Sequence, residues 1–293
     1  MPSLATTQMQ GAKLIVELNW NLCPHNPDYL DTVVILGRPG YESRAELLSA
    51  ELNLPTIAPE DMSVLSSGFA LVVDHAGLSL QQMGVGAPGP IRCDFAEGAL
   101  RHRRLYGGGK GQDIAKSVGL SHKGFRPLVL DMTAGLGRDG FVLSTLGATV
   151  QMTERHPVVL TLLQDGLTRA QQEAVDDPDL EEVLTRISVL GLDGKDYLEQ
   201  LTEEHCPDVV YLDPMFPPRG KSSKVKKEMQ LFHQLVGMDM DASELLPLAL
   251  ERTRYRVVVK RPAHAPFLAE SKPSYSLKGK STRFDVYSVQ KLP

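Results

Sequence analysis

Between Pro127 and the C-terminus the apolar residues follow two alternating patterns. Short, nearly continuous runs rich in β-branched residues occur at 128–132 (LVLDM), 149–153 (TVQMT), 187–190 (ISVL), 209–212 (VVYL) and 256–260 (RVVVK). Their length and composition predict buried strands. The stretches between them carry apolar residues three and four apart, which predicts helices over 139–146, 157–174, 194–201, 221–236 and 243–252. Pro157 suits a first helical turn, where its missing N–H is not needed. Strand and helix in strict alternation imply a parallel sheet covered on both faces. The last two strand candidates, 274–277 and 284–289, follow one another with no helix between them, so they should close the sheet as an antiparallel edge hairpin.

Upstream the pattern is weaker. TVVIL at 32–36 reads as a short buried strand, and 42–52 as a helix ended by Pro55. Residues 69–74 and 78–83 read as two strands turned by Ala76 and Gly77, with 91–95 a third. These make a smaller N-terminal α/β domain over 29–98, with substrate positioning as its expected task. Residues 1–28 hold no sustained period and form a loosely attached extension. Residues 99–126 are a basic, glycine-rich linker followed by a short helix, and 127–293 form the main domain.

The composition narrows the class. Of 293 residues 42% are hydrophobic and 23% charged, as in soluble globular proteins. No apolar run approaches the ~18 residues of a membrane span, and the first residues lack a basic patch followed by an apolar core, so a cytoplasmic protein is expected. Cys23, Cys93 and Cys206 are far apart, without C-x-x-C or paired histidines, which points to buried thiols and no metal site. The net charge of −5 hides an asymmetry: from Asp213 onward there are 15 Lys and Arg against 8 Asp and Glu, and before it 16 against 28. A basic face toward phosphates is compatible with that division, as is a solvated helix surface.

The chemistry gathers at strand tips. LVLDMTAGLGRD (128–139) is a strand, a turn holding Gly135 and Gly137, and a helix start. Glycine allows positive φ and lets a ligand approach the backbone. Asp131 at the turn would repel the pyrophosphate of a dinucleotide. It suits S-adenosylmethionine (SAM), whose sulfonium and ammonium are cationic. Glu154, just past the second strand, is placed to accept from ribose hydroxyls. Asp193, past the third, suits either the adenine amino group or a helix N-cap, and Gly194 beside it leaves room for the ring. Asp213-Pro214-Met215-Phe216 follows the fourth strand. There the Asp213 carboxylate and the Pro214 carbonyl can draw hydrogens of a delocalised exocyclic amine, localise its lone pair and aim it at a methyl carbon. Phe216 can stack on the flipped base. Basic residues flank this site: Arg101, Arg103, Arg104 and Lys110 in the linker, Arg219, Lys221, Lys224, Lys226 and Lys227 past the catalytic turn, and Lys260 and Arg261 ending the fifth strand. All are candidates for RNA phosphates.

Five alternating units closed by a hairpin, with these tips, form the pattern of a class I, Rossmann-like SAM-dependent methyltransferase with a mixed seven-stranded sheet. The chain further resembles the bacterial small-subunit ribosomal RNA guanine-N2 methyltransferase J family over roughly residues 30–290, through HRRLYGGGKG, DMTAGLGRDGFVL, ERHPVV, VVYLDPMFP, KVKKEMQ, VVVKRP and RFDVY. The resemblance implies methylation of the N2 amino group of one guanine near the 3′ end of 16S ribosomal RNA. It also implies donor contacts at Arg138, Asp139, Glu154, Arg155, Asp193, Gly194 and Asp213. Family members commonly carry small hydroxyl residues where this chain has Asp193 and Gly194. Two other readings stay open from the residues alone: methylation of a DNA adenine or a protein glutamine, and a non-catalytic RNA-binding assembly factor.

Overall fold

The structure is a computed structural model that describes residues 16–17, 33–64, 67–215, 227–237 and 242–293. Its main sheet holds β5 (Leu128–Asp131), β6 (Thr149–Thr153), β7 (Ile187–Leu190), β8 (Val209–Leu212), β9 (Arg256–Pro262), β10 (Tyr275–Lys278) and β11 (Thr282–Ser288). Val16–Glu17, within the N-terminal extension, form an eighth strand, β1, which runs parallel to β7 with Val16 opposite Val189. The expected seven-stranded sheet therefore gains an edge, and part of the extension is attached to the sheet. The order is β1-β7-β6-β5-β8-β9-β11-β10, parallel except for β11, which runs antiparallel to both β9 and β10.

That order reverses direction between β5 and β8. Chain connections leave these two neighbours toward opposite sides, so a crevice opens at their carboxyl ends, where ligands bind in open α/β sheets. Both strands are almost wholly buried, as a central position between two helix layers requires. The covering helices are α4 (Arg138–Thr145), α5 (Pro157–Glu173), α6 (Pro178–Leu184), α7 (Gly194–Gln200), α8 (Lys227–Val236) and α9 (Ala242–Glu251). The short helix α6 has no counterpart in the apolar periodicity. Its start is nonetheless written locally: Asp177 caps it by accepting from Leu180 N at 3.0 Å, and Pro178 follows at the first position.

A second sheet pairs β2 (Val33–Gly37) parallel with β3 (Phe69–Asp74), and β3 antiparallel with β4 (Gly77–Gln82), with α1 (Glu42–Leu52) alongside. Residues 91–95 add no strand. Ile91 alone exchanges two 2.8 Å backbone hydrogen bonds with Leu80, and the chain then runs on to the main sheet. The two sheets share one apolar cluster in which Leu71, Val73, Leu78 and Leu80 meet Phe95, Phe141, Leu163 and Leu167. Polar ties reinforce it. Asp165 on α5, with its side chain 3% exposed, accepts from Leu78 N at 3.0 Å and pairs with Arg44 at 2.6 Å and Arg169 at 2.8 Å. Arg169 also reaches Asp94 and the Cys93 carbonyl. Cys93 and Cys206 are buried free thiols, and Cys23 lies outside the described residues. Among the described residues no helix is long and apolar enough to cross a membrane, and no group of three or more His, Cys, Asp or Glu residues is arranged to hold a metal ion.

Candidate active site

At the tip of β5 the chain turns through Thr133 to Gly137 before α4 begins. Gly137, at φ 67°, is the residue that precedes the helix, and a Cβ there would come within 2.6 Å of Leu163. Gly135, at φ 55°, has nothing within 4 Å of where a Cβ would stand. Its conformation favours glycine, and its open face leaves the backbone approachable by a ligand. Carboxylates from two strands hold the turn. Asp131 Oδ1 accepts from Thr133 N at 3.1 Å, while Glu154 accepts from Gly135 N at 2.9 Å and from His156 N at 2.8 Å. Glu154 thus clamps the turn to the tip of β6.

Asp131 is 2% exposed, and burial pushes its pKa up to about 8. The Thr133 N–H opposes the rise, Asp139 and Asp213 add to it, and Lys260 works against it. A buried carboxyl of this kind costs little when protonated, and is stabilised as an anion once a cation stands beside it. The facing group is Asp213, at the tip of β8. Its backbone N–H donates to Thr133 Oγ1 at 2.7 Å, so the Asp213 loop and the glycine turn are fastened to each other. Pro214, next in the chain, is buried.

Lys260, from β9, stands between two carboxylates. Its Nζ donates to Asp139 Oδ2 at 2.7 Å and to Asp213 Oδ2 at 2.8 Å, and Tyr211 Oη donates to the same Asp139 oxygen at 2.6 Å. Burial works against the Lys260 charge, but Asp213 and Asp139 outweigh it and hold the ammonium above its usual range. For Asp139 burial raises the pKa, yet Lys260 and the Tyr211 hydroxyl leave it lowered overall. Side-chain exposure grades from 19% at Asp139 through 27% at Lys260 to 40% at Asp213, so Asp213 presents the outward end of the chain of charges.

Several expected residues fall elsewhere than the sequence suggested. Lys260 faces Asp213 and Asp139 in the crevice and donates to both carboxylates. Arg261 is 2% exposed, and its guanidinium donates to the Pro266 carbonyl at 3.1 and 2.6 Å. Arg104 lies on α2 (Gly98–Tyr106) with a side chain 6% exposed and paired in two places with Asp177, so it anchors that helix to α6. Arg103 donates to Gln112 Oε1 at 2.9 and 2.7 Å and Lys110 is half-buried, whereas Arg101 is exposed, as are His102 and Tyr106, whose rings lie one helical turn apart with centroids 5.2 Å apart and planes tilted by 49°. Asp139 turns to Tyr211 and Lys260. Asp193 takes the helix N-cap role, one of the two expected of it, accepting from Lys195 N at 2.8 Å at the start of α7, and it pairs with Arg155 at 3.1 Å. A Cβ at Gly194 would meet Met132 Cβ and Thr153 Oγ1 at 2.8 Å. The space beside it is taken by protein and not left for a ring. Arg138 lines an open cleft of about 470 Å³ with Pro88, Pro90, Ile91, Arg92 and Asp94. Phe216, Arg219, Lys221, Lys224 and Lys226 lie outside the described residues, as does the side chain of Lys227.

Two members of the site were not anticipated. Thr133 is the bond between the two loops, and Tyr211 is the hydroxyl that orients Asp139. A tyrosine inside a buried, aliphatic strand immediately before Asp213 was the available signal, since a buried hydroxyl needs a partner.

The geometry agrees with what the chain is similar to. Residues 60–289 match the family model described as "Putative SAM-dependent methyltransferase". The ribosomal RNA small subunit methyltransferase J of Cellvibrio japonicus is 55% identical over 251 residues, covering 85% of this chain and 94% of the relative. The protein of the same name from Pseudomonas aeruginosa is 49% identical over 253 residues, covering 86% and 93%. A crystal structure of a SAM-dependent methyltransferase from Neisseria gonorrhoeae superposes with a TM-score of 0.63 at 35% identity, covering 89% of this chain and 98% of that one.

Proposed function

The chain belongs to the ribosomal RNA small subunit methyltransferase J family, and from that premise we propose that it methylates the N2 amino group of one guanosine near the 3′ end of 16S ribosomal RNA, in the cytoplasm, using SAM. The observation that carries the reading is the 2.7 Å bond from Asp213 N to Thr133 Oγ1. It fastens a loop suited to an exocyclic amine beside a turn suited to a cationic donor.

The residues present fit that donor. Gly135 leaves backbone open to it, Asp131 supplies a buried carboxylate for its cationic end, and Glu154 and Asp193 stand at the next two strand tips. When bound, SAM supplies a methyl group on a sulfonium, a leaving group needing no further activation. Asp213 and the Pro214 carbonyl accept the amine hydrogens and turn the nitrogen lone pair toward the methyl carbon. With SAM bound, the amine nitrogen held by Asp213 and Pro214 would take the methyl group as the carbon–sulfur bond breaks, the electron pair of that bond staying with sulfur. The methylated nitrogen, now cationic, gives up one proton to Asp213 or to water. Positioning and charge stabilisation supply the acceleration, and the exposed Arg101 with the His102–Tyr106 pair offers charge and a stacking surface to the flanking strand.

Purified protein incubated with methyl-labelled SAM and small subunits from cells lacking it should place label in 16S RNA as N2-methylguanosine, and Asp213→Ala should place none while keeping the wild-type fold. Label in protein or as methyladenine in DNA would overturn the substrate assignment. A wild type that binds no SAM would favour a non-catalytic assembly role.

A further inference from the structure

Lys260 is not used by the reaction as derived, yet it stands at the mouth of the crevice. Its ammonium has three N–H groups, of which Asp139 and Asp213 accept two, at 2.7 and 2.8 Å. Asp139 is itself fixed by the Tyr211 hydroxyl at 2.6 Å. The cation is therefore held on one oxygen, Oδ2, of the carboxylate that meets the target amine.

The Watson–Crick edge of a flipped guanine presents, in order, O6 as acceptor, N1–H as donor and the N2 amine as donor. A carboxylate facing this edge accepts from N1–H with one oxygen and from N2–H with the other. O6 then lies just beyond the oxygen that takes N1–H. With Lys260 seated on that oxygen, its remaining N–H meets O6. The side chains offer donor, acceptor, acceptor against acceptor, donor, donor. Adenine presents its amine beside a bare N1 acceptor and has no oxygen at position 6. Its N1 would face a carboxylate oxygen, lone pair against lone pair, and Lys260 would lose its partner. Sites built to hydrogen-bond a substrate group reject analogues lacking it far better than apolar pockets do, because the site's own polar groups are left unpaired.

We propose that Lys260, held by Asp139 and paired with Asp213, reads O6 of the target base and makes the enzyme specific for guanine. This rests on guanine N2 as the acceptor. Lys260 is then a specificity residue, and Asp139 and Tyr211 position it.

The test compares small subunits carrying guanosine or 6-thioguanosine at the target. The sulfur analogue keeps N1–H and the N2 amine but replaces O6 with a weak acceptor. Wild type should lose on the order of tenfold in single-turnover kcat/KM on the sulfur substrate, the scale of one charge-assisted hydrogen bond. Lys260→Met should be slower on guanosine yet lose no more than about twofold further on the analogue. Lys260→Gln, which keeps a neutral donor, should fall between. If Lys260→Met is too slow to time, the ratio of its equilibrium affinities for the two particles gives the same comparison, with SAM titration and urea unfolding confirming the fold. A wild type indifferent to sulfur, or an equal sulfur penalty in wild type and Lys260→Met, overturns the role of Lys260 while leaving guanine methylation standing. A wild type that fails to methylate natural guanosine overturns the substrate reading beneath it.

Discussion

Replacing Asp131 with asparagine separates the charge of this side chain from its shape. The amide keeps the volume and an oxygen for the Thr133 N–H, whose bond to Asp131 Oδ1 is 3.1 Å, but it cannot ionise. Burial raises the folded pKa to about 8, against about 3.9 in an unfolded chain. Between those values the unfolded chain has released the proton and the native protein retains it. Stability present below the unfolded value is therefore lost as pH rises toward the folded one, at ~1.4 kcal/mol per pH unit. The variant escapes that loss. Its stability relative to wild type should grow by about 3 kcal/mol between pH 5 and pH 7, and the difference should level off above about pH 8. Urea unfolding of both proteins at half-unit steps of pH reads it directly. A gap independent of pH would mean that native Asp131 is already ionised near its ordinary pKa, and the account of a carboxyl waiting for a cation fails. The same reasoning predicts proton release when SAM binds wild type near pH 7, measurable by calorimetry in buffers of different ionisation enthalpy and absent in Asp131→Asn.

Other consequences are simpler. Gly137→Ala adds a Cβ within 2.6 Å of Leu163 at φ 67°, so it should cost about 2–4 kcal/mol in urea unfolding; a loss under ~0.5 kcal/mol would show that the turn relaxes freely. Arg101→Ala should weaken RNA-particle binding and flatten its salt dependence by about one counterion. Arg104→Ala should lower stability by about 1–2 kcal/mol through its half-buried pairing with Asp177 and leave the salt slope alone; the reverse pattern would return Arg104 to the RNA face. His156 has its pKa lowered to about 4, chiefly by burial, with its Nδ1 unpartnered among the described residues. Unfolded histidine binds a proton near pH 6.5, so this group should withdraw stability as pH falls from about 6.5 to about 4, and His156→Phe should blunt that acid loss.

Much of the main sheet was legible because its strands are short, buried on both faces and separated by amphipathic helices; β6, β7 and β8 begin and end where the apolar runs do. The edge was less so. Val16–Glu17 is too short to carry a period and is stabilised by pairing with β7, a contact distant in sequence. Strand tips likewise marked Asp131 and Asp213 by position, since residues at the carboxyl ends of the central strands lie where the crevice of an open α/β sheet forms. What could not be read was where long cations go. Lys260, Arg261 and Arg104 look alike as basic residues in loops or strand ends, but their carboxylate and carbonyl partners come from elements 5 to 121 residues away. Burial then turns a charge that sequence places on a surface into an internal tie. Gly194 misled for a related reason: a missing Cβ makes room, and only the packed fold shows that Met132 and Thr153 fill it.

The central claim is that the Asp213 loop holds an amine opposite the donor methyl carbon, across the crevice between β5 and β8. A crystal structure of the protein with SAM bound tests it most directly. The account predicts the methyl group in open line with the Asp213 carboxylate and the Pro214 carbonyl, with the sulfonium beside Asp131. A methyl carbon turned away from Asp213, or walled off from it by protein, would contradict it.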